Sequence, residues 1–324
     1  MRHSVFNLLD HHPASGESLI ALQQHAIDQA RLAERLSFDA LWIAEHHFQR
    51  VGTVPNPAVL LAAIARETQS IRLGPAVSVL PLHDPIQVAE DYALVDMLSG
   101  GRLNMGVGTG SQPLEFGALG VDFEQRRALF DAALAVLCER WNRASVGKLG
   151  IDSLNVAPSQ SPRPPIYVAT MHPEGAAAAG RAGHSMLTLV SPATPDLDEI
   201  RARLDAHREG LLAGGHALDD AEAVTVVFAH AASTDEEARR VGAPALGRVV
   251  GAILGVELPD PEATYASMQE RRIGLFGSDE RVREDIEAYR ALGVGHLAFI
   301  ARFGAMDPRA ASSSLEILAD HGRA

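Results

Sequence analysis

Short apolar runs alternate with stretches of helical periodicity along most of the chain. "SVFNLL" (4–9) reads as a strand, and residues 18–36 follow with Leu19, Leu22, Ala26, Ala30 and Ala33 on one helical face. "ALWIAE" (40–45) is a second strand, with a helix starting near Pro57. "IRLGPAVSVL" (71–80) is a third, and Pro85 then suits a first helical position ahead of Ile86, Ala89, Ala93 and Met97. "RLNMGVGTG" (102–110) reads as the fourth strand, with a helix over roughly 122–142. Residues 143–164, rich in Gly, Ser and Pro, interrupt the rhythm as an insertion between the fourth and fifth strands. "PIYVAT" (165–170) resumes it, followed by the small-residue helix "EGAAAAGRAG". "SMLTLV" (185–190) and "AVTVVFAHA" (223–231) are the sixth and seventh strands, and 234–275 is mixed, with helical stretches and a Gly/Pro-containing connection. Ser278 then caps a helix bearing Val282, Ile286, Tyr289 and Leu292, which Gly293 ends. "HLAFIA" (296–301) is the eighth strand, with a last helix near 309–321.

These strands are apolar throughout instead of alternating, the signature of a parallel sheet covered by helices. Eight βα units predict an α/β protein built as a closed (β/α)₈ barrel, with residues 1–324 forming one domain. An open doubly wound sheet would want G-x-G-x-x-G after its first strand. "LLDHHPASGES" lacks it, and Gly106-Val107-Gly108-Thr109-Gly110 offers only a lone G-x-G.

Composition narrows the partners. The chain has 324 residues and a formal net charge of −13. That balance disfavours nucleic acid or an anionic membrane, both of which recruit basic patches. Any ligand phosphate must then be held locally, by backbone amides or one side chain. Cys138 is the only cysteine and falls on the helical stripe Phe130, Ala133, Leu134, Leu137, Trp141, as a packing residue would. The start "MRHSVFNLLD" has too short an apolar run for a signal peptide, and no stretch is long enough to span a bilayer. A cytoplasmic protein is expected.

A barrel carries its chemistry at the C-terminal ends of its strands. His11 and His12 follow strand one, Glu45, His46 and His47 end strand two, and His83 follows strand three. Thr109 ends strand four, Thr170 and His172 end strand five, and His230 ends strand seven. His184 and His296 fall at the opposite face. A lone histidine is usually a satisfied core or surface group, but several at one rim are a stronger signal. Consecutive strand residues point to opposite sides, so His46 and His47 cannot both face the mouth.

Three chemistries suit such a rim. A metal hydrolase needs three or four converging ligands, and the adjacent pair His11-His12 cannot readily share one ion; no metal site is predicted. A serine hydrolase would show G-x-S-x-G, which is absent. The third is cofactor-borne chemistry, with the protein binding and orienting the group. Thr170-Met171-His172-Pro173-Glu174-Gly175-Ala176 fits it: a strand runs into a turn and a small-residue helix whose free amides and positive dipole end suit phosphate. Glu174 must then point outward.

"FDALWIAEHHF" (38–48), "IRLGPAVSVLPLHDPIQVAEDYALVDMLSGGRLNMGVGTG" (71–110), "PIYVAT" with its helix and "GSDERVREDIEAYRALGVGHLAFI" (277–300) carry a specific resemblance. Along nearly its whole length the chain resembles the bacterial luciferase-like flavin-dependent monooxygenases, most of all their alkanal-monooxygenase branch. The resemblance implies a (β/α)₈ barrel that binds reduced FMN, delivered by a separate flavin reductase. The flavin would form a C4a-peroxyflavin with O₂ and oxygenate a small-molecule substrate. His46 matches the active-site base, with His47 supporting it. Ala76 and Val77 match a non-prolyl cis peptide under the flavin ring, and Met171, His172 and Gly175 match the backbone phosphate turn. The stretch before Gly277, with Arg271 and Arg272, matches a mobile loop, and a homodimer through helices beside strand two is implied. Gly108 replaces a cysteine near the luciferase flavin and Thr109 an arginine near its phosphate, which points away from light emission and to another substrate. Members of the wider family use a deazaflavin coenzyme instead. A non-catalytic subunit stabilising a paralogous partner is a further alternative.

Overall fold

The computed structural model describes residues 1–142 and 154–322. The strands are β1 (Arg2–Asn7), β2 (Ala40–Ile43), β3 (Arg72–Pro75), β4 (Ser78–Val79), β5 (Met105–Gly108), β6 (Ile166–Ala169), β7 (Ser185–Leu189), β8 (Ala223–Ala232), β9 (Leu275–Ser278) and β10 (His296–Ile300). The helices are α1 (Leu19–Arg35), α2 (Pro57–Glu67), α3 (Pro85–Ser99), α4 (Pro113–Leu119), α5 (Arg126–Asn142), α6 (Pro173–Arg181), α7 (Leu197–Ala213), α8 (Asp235–Leu254), α9 (Pro261–Glu270), α10 (Asp279–Ala291) and α11 (Pro308–Asp320).

All strand pairings among the described residues are parallel, in the order β3-β2-β1-β10-β8-β7-β6-β5-β4. β3 and β4 are consecutive pieces of one pass across the wall, so the ends of this list meet and the barrel is nearly closed. A single parallel bridge, Leu73 to Leu103, helps join β3 to the β5 side. The expected barrel is therefore present. The expected third strand, 71–80, is broken by the cis peptide Ala76–Val77, the place the resemblance indicated, and its last residue enters a 3₁₀ turn.

Two further differences have local causes. The stretch 234–275 resolves into α8 and α9 and then leads into β9, a strand that the mixed pattern concealed. β9 lies outside the barrel order and pairs with the last residues of β8, from Ala229 to Ala232, beyond the part of β8 that pairs with β10. The expected helix over 122–142 begins at Arg126 after a 3₁₀ turn, and α4 precedes it unpredicted because seven residues give periodicity too little to act on. Half of the anticipated insertion 143–164, residues 143–153, lies outside the described residues.

Helix starts follow their capping chemistry. Ser18 accepts the Ala21 N–H at the start of α1, and Asp84 accepts those of Ile86 and Gln87 ahead of Pro85 in α3. Helix α6 uses its small residues against α7 more than against the barrel. A Cβ on Gly180 would lie 2.2 Å from the His207 carbonyl, and one on Gly210 2.3 Å from the Ala177 carbonyl. Backbone-to-backbone contact fixes this helix pair.

The floor of the barrel is polar. Glu222 accepts hydrogen bonds from Tyr167, Arg2 and His296 Nδ1, the last at 2.9 Å. His296 Nε2 in turn contacts Ser4 Oγ. The sequence Ser–His–Glu is connected as in a serine hydrolase, but Ser4 is fully buried. No substrate reaches it, and the array plugs the floor. No helix among the described residues is long and apolar enough to cross a membrane.

Candidate active site

The C-terminal rim gathers the polar groups that close the strands. β2 enters it held by its neighbours: Ala44 N–H donates to the Asn7 carbonyl at 3.1 Å, and Ala76 N–H to that of Ile43 at 2.7 Å. Three residues then diverge. Glu45 is buried, whereas His46 and His47 are half-buried.

His46 Nδ1 lies 2.9 Å from Glu115 Oε1 of α4. The same oxygen accepts the His47 N–H at 3.0 Å and the Gln49 amide at 3.1 Å. Surrounded by donors, this oxygen serves as acceptor, so His46 carries its proton on Nδ1 and leaves Nε2 basic. From the other side the loop backbone presses on the ring: a Cβ on Gly52, itself at φ +91°, would fall 2.6 Å from His46 Cδ2. The imidazole is clamped, yet its side chain keeps 22% exposure, enough to meet a ligand.

His47, beyond the end of β2, turns the other way. Its Nε2 lies 3.2 Å from Glu45 Oε1, and His83 Nε2 reaches the same oxygen at 2.7 Å. Glu45 Oε2 accepts the Val79 N–H at 3.3 Å. Burial alone would raise the Glu45 carboxyl, but the hydrogen bonds and charges of His47 and His83 outweigh it and hold the group below the usual carboxylate range. Burial likewise opposes charge on His83, and Glu45 overrides it, so that imidazole sits above its ordinary value.

Further around the rim, Ala76 and Val77 are half-buried on the wall between β3 and β4. Gly108 backs them: any Cβ there would lie 2.5 Å from Val77 Cγ2, which is why a larger residue is excluded. Among the described residues the Thr109 hydroxyl makes a long 3.5 Å contact to the Gly110 carbonyl. After β6, Thr170 Oγ1 accepts the His172 N–H at 3.3 Å and donates to the His172 carbonyl at 3.1 Å, bending the chain into α6. Gly175 approaches so closely that a Cβ would meet Thr170 Oγ1 at 2.2 Å. Met171 is half-buried in this turn, and His172 and Glu174 are exposed.

Other expected rim groups are used elsewhere. His12 bonds Asp10 at 2.6 Å, and Asp10 also accepts the Gly304 N–H, tying the β1 loop to the β10 loop. His11 binds the Glu17 carbonyl at 2.9 Å. His230 is buried within β8 beside Gly242 of α8, and burial lowers it to about 4, so it packs a neutral ring instead of facing the mouth. Arg271 donates to the carbonyls of Thr194 and Pro192, and Arg272 pairs with Asp285 at 3.4 Å. Sequence reasoning missed Glu115 and Gly52; the only sequence sign of the first is an acid early in a short segment that follows a strand.

Comparisons with known proteins agree with this architecture. The family model of luciferase-like monooxygenases matches residues 1–296, and the chain belongs to that family. It is 35% identical over 176 residues to an uncharacterized protein, y4vJ, of Sinorhizobium fredii, a match covering 52% of this chain and 50% of that protein. The chain thus spans about half the length of that curated relative. Among solved structures it superposes on the monooxygenase RslO1 of Streptomyces bottropensis with a TM-score of 0.89 and 26% identity, over 99% of this chain and 98% of that one. The oxygenating constituent of 3,6-diketocamphane monooxygenase of Pseudomonas putida, solved with FMN, gives 0.81 at 21% identity over 99% and 97%. An F420-dependent secondary alcohol dehydrogenase gives 0.71 at 18% over 100% and 99%. These last two likenesses are of fold.

Proposed function

On the premise of that family membership, we propose that the chain is a flavin-dependent monooxygenase that takes reduced FMN from a separate flavin reductase and oxygenates a small organic substrate. One observation carries the reading: His46, backed by Glu115, shares a barrel rim with the Thr170–Gly175 turn, and the half-buried Ala76 and Val77 lie on the wall between them. The pieces fit the coenzyme. Ala76, Val77, Gly108 and Thr109 would hold the ring system, and Met171, His172 and Gly175 the phosphate through backbone amides, as a chain of net charge −13 requires. Bound reduced flavin supplies the electrons that activate dioxygen.

The protein's own part is positioning and proton management. His46 takes up or returns a proton at Nε2, because Glu115 occupies Nδ1. His47, held by Glu45 and Glu115, stiffens the segment that carries it.

Anaerobic titration with reduced FMN is expected to saturate, and Gly175→Val, whose side chain must displace Thr170, to weaken that binding at least about tenfold. Absence of binding in the parent protein overturns the coenzyme assignment. The fold likeness to an F420-dependent enzyme, and Thr109 where an arginine would bring charge, favour a second reading as a deazaflavin-dependent hydride-transfer enzyme. Tighter binding of the reduced deazaflavin in the same titration would select it.

We further propose a homodimer through the helices beside β2, where Val59 of α2 is exposed, with the exposed Leu94, Met97 and Leu98 on the neighbouring α3. Sedimentation at micromolar concentration should report twice the chain mass, and Met97→Glu should move it toward the monomer. A wild-type monomer refutes the pairing, and activity only with a similar second chain would point to the non-catalytic subunit.

A further inference from the structure

We propose that Glu45, His47 and His83 form a three-ligand site for a divalent ion of the zinc class. The three donor atoms come from different places in the chain, the end of β2 and the turn after β4, and all lie within 4.8 Å of one another. Both imidazoles direct Nε2 at the same carboxylate oxygen, at 2.7 and 3.2 Å. Their ring centroids are 5.9 Å apart with planes inclined by 48°, so the rings are tilted toward each other and do not stack. Ligands about 2.0–2.2 Å from a tetrahedral ion sit roughly 3.3 Å apart, so the separations of 2.7 and 3.2 Å between each imidazole and the carboxylate oxygen need to open only slightly to admit one.

The donor set decides the kind of ion. Two imidazoles and a carboxylate suit zinc, cobalt or copper over calcium or magnesium, which want oxygen ligands. Glu45 is buried, giving the ion a fixed anionic anchor, whereas the side chains of His47 and His83 are 11% and 27% exposed, leaving the cluster open to solvent on one side. The fit was invisible along the sequence, where the adjacent His11-His12 drew attention and Glu45 and His83 stand 38 residues apart.

Without metal, protons occupy both Nε2 atoms and the carboxylate accepts them. Binding an ion displaces those protons, so affinity falls as pH falls. Other titratable groups near the cluster are Asp91 and Tyr92 of α3 and Glu115 of α4, the last through the His47 N–H. A bound ion staples the β2 loop to the β4 turn one residue from His46, so added zinc should inhibit turnover. Ion binding itself does not depend on the flavin reading, and its failure is separable from failure of that reading.

The test is titration of chelator-treated full-length protein with Co²⁺, read by visible absorption, and with Zn²⁺ in competition with a chromophoric chelator. The expected result is saturation at one ion per chain, with cobalt bands of low coordination number. They should vanish in His83→Ala and Glu45→Gln and persist in His216→Ala, whose imidazole lies elsewhere. Should Glu45→Gln fail to fold, His83→Ala, altered at a partly exposed position, remains decisive. Absence of bands at stoichiometric cobalt, or their survival in His83→Ala, overturns the site.

Discussion

Replacing His46 by Ala is expected to lower turnover by at least about a hundredfold while leaving affinity for the reduced coenzyme within a few-fold of the parent. The asymmetry follows from where the ring sits. It is clamped between Glu115 and the Gly52 backbone, three strand spacings or roughly 15 Å along the wall from the turn after β6, so its loss would remove the proposed proton carrier and leave the proposed phosphate turn untouched. The result is read by measuring coenzyme binding anaerobically and turnover separately, with kcat and kcat/KM falling together. Glu115→Gln refines it. The amide offers a donor as well as an acceptor to Nδ1, so the imidazole is no longer held in one tautomer, and a drop of about tenfold or more is expected with His46 still present. Unchanged turnover in His46→Ala would remove the residue from the mechanism.

The second large effect concerns stability. Glu222→Ala is expected to lower unfolding free energy by about 3 kcal/mol at neutral pH, because it strands His296 and Tyr167 inside the barrel floor. The Arg2 contact adds little, its side chain being more than half exposed. Burial alone would raise the Glu222 carboxyl, yet the hydrogen bonds of His296 and Tyr167 and the charges of His296 and Arg2 hold it below the ordinary value. A depressed carboxyl stabilises the fold fully above its unfolded pKa, about 4.3, and that contribution is lost as pH falls further through the folded value. Denaturant titrations of parent and variant should therefore differ most at neutral pH and converge in acid. A gap that stays constant to pH 3 would assign the loss to packing instead.

The contrast between the two arrays is instructive for reading function from connectivity. Ser4, His296 and Glu222 have the residue types and linkage of a hydrolytic relay, and His46 with Glu115 has only two of the three. Access separates them. Ser4 is sealed, whereas His46 is open to a mouth where strand ends, a cis peptide and a helix N-terminus meet.

By itself the sequence determined the repeating strand–helix order, the parallel barrel and the rim position of Glu45-His46-His47, since apolar periodicity and strand alternation act over a few residues at a time. It also carried the Ala76–Val77 and Thr170–Gly175 segments through resemblance. Tertiary structure alone decided who partners whom. Glu115 reaches His46 across 69 positions and His83 reaches Glu45 across 38, and His230, one of several strand-end histidines in sequence, turns into the helical layer. It also decided that the third strand breaks and that β9 extends β8. Hydrogen bonds between distant segments depend on how the sheet closes and which face each side chain takes, and no local pattern encodes that closure.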